Sequence, residues 1–233
     1  MNKIADEVRV VNDEQIPFEF PELISNPEPR CPCILLLDTS VSMSGRPLSE
    51  LNDALRVFKE QILLDSLATQ RVELAVVTFG PVKTYANFQS VEYFDPPHLT
   101  PTGDTPMGDA IVTALGMLAE RKKSYQAAGV SYYRPWVFLV TDGSPTDNWA
   151  EAARLVHEGD NNERKAFSFF GVGVQGADMS RLGQICSPSR PPVKLESLNF
   201  RELFIWLSAS MKAVSQSQLG TTVKLPPPGW MAS

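Results

Sequence analysis

Short uninterrupted apolar runs recur along the chain and predict buried strands. The runs end abruptly at polar or turn-forming residues, which is typical of strands covered on both faces of a parallel sheet. The predicted strands span residues 33–38, 72–79, 136–140, 166–174 and 193–195. Residues 82–88 follow the turn Gly80-Pro81 and alternate in polarity, so they predict an antiparallel partner at the sheet edge.

Between these runs, apolar residues recur at three- and four-residue steps and predict amphipathic helices. The clearest stripe, in residues 47–64, consists of Leu48, Leu51, Leu55, Phe58 and Ile62. A second helix is expected to begin at Pro106 with Thr105 as its cap, and Asn199 is placed to cap the last helix. Shorter helices are predicted for residues 149–157 and 177–185.

Alternating strands and helices predict one α/β domain, doubly wound in a Rossmann-like manner. Its central sheet would be mostly parallel with one antiparallel edge strand, and helices would cover both faces. The predicted domain spans residues 31–215. Residues 1–30, rich in Pro, predict an N-terminal arm, and residues 216–233, with three consecutive prolines, predict a loosely held C-terminal tail.

Composition narrows the classes of function. The 233 residues carry a net charge of −6, which argues against general nucleic-acid binding. No apolar stretch is long enough for a membrane span, and residues 1–20 lack an apolar signal core, so a cytoplasmic location is expected. Cys31, Cys33 and Cys186 form no metal or disulfide framework, and Cys31 and Cys33 are predicted to be small buried residues.

The first predicted strand ends in the sequence Asp38-Thr39-Ser40-Val41-Ser42. A carboxylate and two hydroxyls, with no His or Cys, are oxygen ligands of the kind that hard cations prefer. The same residues allow a simpler interpretation, in which Ser42 or Ser44 caps the helix that follows.

Two later segments favour the cation site. Another predicted strand ends at Asp142, and if the two strands are neighbours both carboxylates face one crevice at the carboxyl edge of the sheet. Thr105, in the loop 102–108, leads into a helix at the same edge. An oxygen cage with few carboxylates suits Mg²⁺, with Mn²⁺ or Ca²⁺ as alternative cations. Its five predicted ligands are Asp38, Ser40, Ser42, Thr105 and Asp142.

These three segments resemble the metal-ion-dependent adhesion site (MIDAS) of von Willebrand factor type A (VWA) domains. Residues 38–42 match the Asp-x-Ser-x-Ser loop, Thr105 matches the threonine loop, and Thr141-Asp142-Gly143 matches the aspartate loop. The resemblance covers roughly residues 31–215. It implies that Ser40, Ser42 and Thr105 bind the cation directly, and that Asp38 and Asp142 bind it directly or through water.

A closer resemblance is to the bacterial TerY/YegL type of VWA protein, the former associated with tellurite resistance. It rests on the segments 31–38, 77–82, 132–136 and 173–179. One departure is Val41, where many members have glycine, and a β-branched residue disfavours positive φ. This resemblance implies a role in a stress or tellurite-resistance system beside a protein kinase or phosphatase.

The resemblance further implies a binding module rather than an enzyme. One coordination position would stay open for an Asp or Glu of a protein partner, with neither nucleic acid nor membrane involved. The alternative is a Mg²⁺-dependent hydrolase or phosphotransferase that uses Ser40 or Ser42. It lacks a visible base, since the two histidines, His98 and His157, are expected in a loop and at a helix end. A nucleotide-binding fold without chemistry is a third interpretation.

Overall fold

The structure, a computed structural model, describes residues 21–230. It contains a six-stranded sheet with the spatial order β3-β2-β1-β4-β5-β6. The strands are β1 (Cys31–Asp38), β2 (Val72–Phe79), β3 (Lys83–Ser90), β4 (Trp136–Thr141), β5 (Ser168–Gly173) and β6 (Val193–Lys194). All neighbouring pairs are parallel except β2 and β3, which confirms the predicted antiparallel edge strand.

Seven α-helices occur within the described residues, and a 3₁₀ turn at Val41–Met43 precedes the second one. The helices are α1 (Pro21–Ser25), α2 (Arg46–Leu63), α3 (Ser66–Arg71), α4 (Met107–Ala127), α5 (Ala150–Gly159), α6 (Met179–Ile185) and α7 (Phe200–Ser215). The single doubly wound α/β domain predicted from the pattern is therefore confirmed.

Strand β1 shows why the sheet needs helices on both faces. All of its residues are buried, and alternate side chains enter two separate cores. Leu35 and Leu37 pack on the side of α2 and α7, whereas Ile34 and Leu36 pack on the side of α4, α5 and α6. The period of two along a strand accounts for this division.

Both termini of the described region pack against the domain. Leu23 of α1 is buried, and the arm continues into β1; the predicted arm residues 1–20 lie outside the described residues. In the predicted C-terminal tail, residues 216–229 are exposed or half-buried, whereas Trp230 is only 3% exposed and anchors the tail to the domain. Its indole packs edge-on against Trp206, with ring centroids 5.5 Å apart.

The helix starts differ from two of the predicted caps. The N-cap residue of α2 is Gly45, so neither Ser42 nor Ser44 occupies that position. Gly45 has a φ of 80°, a conformation that favours glycine. Asn199 occupies the N-cap position of α7 but makes no side-chain capping hydrogen bond. Cys31 and Cys33 are both buried on the α2 and α7 face, as predicted.

Candidate metal centre

The loop after β1 turns back over the end of its own strand. The Asp38 Oδ1 atom accepts a hydrogen bond of 2.8 Å from the Ser40 backbone N–H, which fixes the turn. Val41 then opens the 3₁₀ turn and is 61% exposed. Within residues 21–230, Lys165 and Ser197 are the only non-glycine residues with positive φ, so Val41 adopts this loop without a left-handed conformation.

The loop that carries Thr105 interlocks with the first loop. The Gly103 carbonyl accepts a 3.1 Å hydrogen bond from Val41 N–H, and Thr102 N–H donates to the Thr39 carbonyl at 2.7 Å. Gly103 has a φ of 65°, and a Cβ atom there would lie 1.6 Å from the Gly80 carbonyl oxygen. Only glycine permits this close approach, which packs the Thr105 loop against the turn that follows β2.

Five side chains from β1, β4 and their loops form hydrogen bonds at this edge of the sheet. Thr141 Oγ1 donates to Asp38 Oδ2 at 2.5 Å, Ser42 Oγ donates to Asp142 Oδ1 at 2.7 Å, and the Ser40 and Ser42 hydroxyl oxygens lie 3.0 Å apart. Strands β1 and β4 are paired neighbours, so both aspartates reach the same sheet edge. The first and third predicted loops therefore meet.

Thr105 approaches the same place from the helix side. A Cβ atom placed on Gly143 would lie 3.2 Å from Thr105 Oγ1 and 3.8 Å from Asp38 Oδ2. Both oxygens therefore flank a small space that the absence of a side chain at Gly143 leaves open. Oxygen atoms from hydroxyls and carboxylates around such a space fit the ligand preference of Mg²⁺.

Both carboxylates of this centre have raised pKa values. Burial raises the pKa of Asp38, against hydrogen bonds from Ser40 and Thr141 that lower it, and the Asp142 charge raises it further. Burial also raises the pKa of Asp142. Within residues 21–230, no three His, Cys, Asp or Glu side chains converge as a metal-binding group. A cation here would therefore depend on the hydroxyls as well as on two carboxylates.

Helix α4 is capped by a residue that the sequence did not indicate. The helix begins at Met107, and the expected Thr105 cap is absent, because Pro106 is the N-cap and makes no side-chain capping bond. Instead the Asp147 carboxylate accepts hydrogen bonds from the Gly108 and Asp109 N–H groups, at 3.0 and 2.7 Å. This cap comes from a distant loop, so local sequence gave no signal for it.

The backbone of Thr105 is fixed by the loop after β4. Thr105 N–H donates to Thr146 Oγ1 at 3.1 Å, and Thr146 N–H donates to the Thr105 carbonyl at 2.9 Å. Together with Asp147, Thr146 joins the second and third loops. Thr141 was likewise missed as the donor to Asp38, although the neighbouring strand ends could have indicated it.

The structure shows no hydrogen bond between either described histidine and Ser40 or Ser42. His157 Nε2 is 2.9 Å from the Cys186 carbonyl, and exposed His98 lines a surface cleft beside α2. The prediction that no base stands beside Ser40 or Ser42 is wrong in one respect, because the Asp142 carboxylate accepts the Ser42 hydroxyl hydrogen bond.

No helix of the described region has the length and apolar character needed to cross a bilayer.

No curated protein matches the chain significantly. Two solved structures illustrate the fold. The pilus adhesin SpaC of Lactobacillus rhamnosus GG, in its open conformation, is 14% identical over 82% of this chain and 31% of that chain, with a TM-score of 0.60. Proximal thread matrix protein 1 of the mussel byssus is 18% identical over 80% of this chain and 49% of that chain, with a TM-score of 0.53.

The chain thus spans about half or less of the length of these two proteins, and at such identities the likeness shows the fold alone. The sequence profile of the von Willebrand factor type A domain matches residues 33–204, which is more than half of the chain. That match begins in β1 and ends in α7. The chain belongs to the von Willebrand factor type A domain family.

Proposed function

We propose that this chain is a cation-dependent protein-interaction module. One observation carries the proposal: hydroxyls and carboxylates from loops far apart in the sequence converge at one sheet edge, where Ser42 Oγ contacts Asp142 Oδ1 at 2.7 Å and Ser40 Oγ at 3.0 Å. Asp38, Ser40, Ser42, Thr105 and Asp142 would hold Mg²⁺, with Mn²⁺ or Ca²⁺ as substitutes. The cation would supply positive charge and an open coordination position.

The surroundings of the centre suit a protein ligand. Asp38, Ser40 and Thr105 are buried, whereas Ser42 and Val41 are exposed at the rim. A partner that reaches Ser42 therefore meets an apolar side chain directly beside the oxygen cage. We propose that the partner contributes an Asp or Glu carboxylate to the open position. Where the two aspartates bind the cation through water, the directly bound protein ligands are the neutral hydroxyls, so a carboxylate oxygen of the partner completes the coordination shell.

Metal binding is the first test. Calorimetric titration of the metal-free protein with Mg²⁺ or Mn²⁺ should show one site, which is lost in Asp38→Ala and in Asp142→Ala. The exposed residue Asp53, paired with Arg56 on α2, offers a matched control, and Asp53→Ala should bind as the native protein does. Unchanged binding in both site variants would contradict the proposed ligand set.

Partner binding is the second test, and Thr105→Ala is the most selective variant. The Thr105 side chain does not cap α4, and its backbone bonds to Thr146 would remain, so the fold should lose about 1 kcal/mol or less. Loss of a desolvated contact at an interface centre should cost the complex about 2 kcal/mol or more. The loss is measured by pull-down of the partner from a cell extract. The native protein with Mg²⁺ is compared with the native protein in EDTA and with Thr105→Ala in Mg²⁺.

The losses caused by EDTA and by Thr105→Ala should not add, because both remove the same contact. Binding that survives both treatments would move the interface away from this edge. The finer assignment, to a bacterial stress or tellurite-resistance system with a kinase or phosphatase as the partner, rests on the TerY/YegL resemblance. Co-purification with the kinase or phosphatase of such a system, and tellurite sensitivity on deletion, would test it.

A hydrolase or phosphotransferase remains the second candidate, and one observation favours it. The Ser42 hydroxyl donates to a carboxylate whose pKa burial raises, which is the arrangement of a nucleophile beside a base. We expect no hydrolysis of phosphate esters or nucleotides with Mg²⁺. Turnover lost in both Ser42→Ala and Asp142→Asn, with Ser44→Ala as the control, would establish the enzyme instead.

A further inference from the structure

An aromatic pocket lies far from the candidate metal centre in the sequence and shares none of its residues. It sits on the sheet face that α7 covers, between β5, β6 and the segment that follows α7. Its volume is about 190 Å³. The residues that matter here are Phe138, Phe170, Val172, Arg190, Trp206 and Trp230.

The walls of the pocket are suited to a flat ring. Phe170 lies 5.6 Å from Phe138 and 6.5 Å from Trp206, between ring centroids, and Trp206 packs edge-on against Trp230. Offset and edge-on packing of this kind is the preferred arrangement of aromatic groups. Pockets for drug-sized ligands occupy about 300–1,000 Å³, so this one fits a smaller molecule with a single ring system.

Trp230 supplies a hydrogen-bond donor that has no acceptor. It is 3% exposed, and its Nε1 atom is buried without a hydrogen-bond partner among residues 21–230. The neighbouring indole differs, because Trp206 Nε1 donates to the Pro226 carbonyl at 2.8 Å. A buried donor left without an acceptor is costly, so this N–H favours a ligand that carries an acceptor oxygen.

Arg190 adds a positive charge to the same pocket. Its guanidinium carbon lies 4.7 Å from the Phe170 ring centroid, and the side chain is 30% exposed. Its Nε and Nη2 groups contact Asp160 and Ser168, while its Nη1 makes no hydrogen bond within the described region. Asp160 also pairs with Arg134 at 2.7 Å. Two guanidinium groups therefore share one carboxylate, which leaves one positive charge uncompensated in this cluster.

From the aromatic walls, the unpartnered indole N–H and the uncompensated guanidinium, we infer that this pocket binds a small aromatic carboxylate. The ring lies among Phe138, Phe170 and the two tryptophans, and the carboxylate accepts hydrogen bonds from Trp230 Nε1–H and Arg190 Nη1–H. Because the sheet forms one wall and the C-terminal segment another, the ligand also joins that segment to the domain. No covalent step is involved.

The inference is tested by nuclear magnetic resonance on the whole ¹⁵N-labelled chain. Phenylacetate is the probe, phenylacetamide is its neutral counterpart of the same shape, and acetate lacks the ring. The Trp230 indole N–H resonance is assigned by its absence in Trp230→Phe. Phenylacetate should shift this resonance in a saturable way. Phenylacetamide should bind about tenfold more weakly or worse, because a bond to a charged group is worth more than one between neutral groups.

Variants separate the two polar contacts. Arg190→Gln should weaken phenylacetate binding about tenfold, and Trp230→Phe should weaken it less while keeping an aromatic wall. Arg154→Gln, on exposed positions of α5, and Trp149→Phe, beside Arg181, are the matched controls and should leave binding unchanged. Thermal unfolding of each variant shows whether the fold persists.

Three results from the native chain would overturn the inference: the absence of a Trp230 shift at millimolar phenylacetate, equal binding of phenylacetamide, and equal binding of acetate. A fourth comes from a chain that ends at Trp230. Binding that appears only in this shortened chain would show that residues 231–233 fill the pocket, and that the pocket is not a ligand site.

Discussion

Two buried carboxylates at opposite ends of the sheet are stabilised in contrasting ways. Glu73, near the start of β2, contacts the guanidinium groups of Arg30 and Arg121 and the hydroxyl of Tyr125, at 2.6–3.1 Å. Asp38, at the end of β1, is equally buried but is hydrogen-bonded by a backbone amide and a threonine hydroxyl. The chain supplies cations for Glu73, whereas the charge nearest to Asp38 is another carboxylate, Asp142.

The two ends of the sheet therefore differ in where the counter-charge for a buried carboxylate comes from. A buried charge is retained when a counter-charge and hydrogen bonds surround it. At the amino end, that counter-charge is internal, and through Glu73 it ties β2 to Arg30, directly before β1, and to Arg121 of α4. At the carboxyl end, it is missing from the described residues near Asp38, which supports the proposal that an external cation completes the centre.

Removing the carboxylate of Glu73 is expected to have the largest effect on stability. Glu73→Gln removes the one ion-pair partner that Arg30 has within residues 21–230, and it leaves Arg121 only a 3.3 Å contact with half-exposed Glu22. Both arginine side chains are less than a tenth exposed. We expect a loss of about 3–5 kcal/mol in unfolding free energy, measured by urea denaturation. Glu151→Gln removes an exposed ion pair and should leave stability unchanged. A native-like midpoint for Glu73→Gln would contradict this account.

Adding the external cation is expected to have the next largest effect. Mg²⁺ at a hundredfold excess over its dissociation constant should raise the unfolding free energy of the native protein by about 2.7 kcal/mol, since it binds only the folded state. Asp142→Asn should abolish this gain while Glu73→Gln keeps it. Equal stabilisation of the Asp142→Asn variant would place the cation elsewhere.

A third carboxylate at the carboxyl end is compensated by a helix rather than by an ion. Asp147 accepts hydrogen bonds from the first turn of α4, where the helix dipole favours negative charge. Asp147→Ala should cost about 1 kcal/mol in chemical denaturation, as other lost N-caps do. Asp147→Asn should retain part of this stability, and Asp104→Ala serves as the exposed control.

The smallest expected effect is that of pH on the metal-free protein. Burial raises the folded-state pKa of both Asp38 and Asp142 above the ordinary value of 3.8, and hydrogen bonds partly offset the rise. The folded state therefore binds protons more readily than the unfolded state, so stability falls as pH rises from 3.8 through the raised pKa. Asp38→Asn should flatten this dependence in EDTA, and a native profile that rises over this range would refute it.

The sequence predicted the elements that depend on local pattern. Strand β2 was predicted with its observed bounds, Val72–Phe79, because every one of its residues is buried and apolar packing determines it. The six-residue helix α3 was missed although Asp65 caps it, since so short a helix shows little periodicity. The first and third loops meet because β1 pairs with β4. The Thr105 loop reaches the same edge through hydrogen bonds with the backbone of Thr39, Val41 and Thr146.

What the sequence could not predict depends on contacts between distant residues. The Asp147 cap of α4 and the Arg30–Glu73–Arg121 network each join segments about 40 residues apart or more, without a local signature. From the sequence, Trp230 could either anchor the tail to the domain or touch a partner, because consecutive prolines indicate an extended chain but not what it touches. Its packing against Trp206 shows that it anchors the tail. The metal ligands themselves stay a prediction.

The hydrogen bond between Ser42 and Asp142 spans 100 positions of the sequence. During synthesis, Asp38, Ser40 and Ser42 leave the ribosome well before the residues that complete their centre. Only after β4 has been made and has paired with β1 are both aspartates at one edge. A partner that binds this edge will not bind nascent, truncated or misfolded chains, because the centre has not formed in them. Assembly with the partner is therefore restricted to chains whose domain has finished folding.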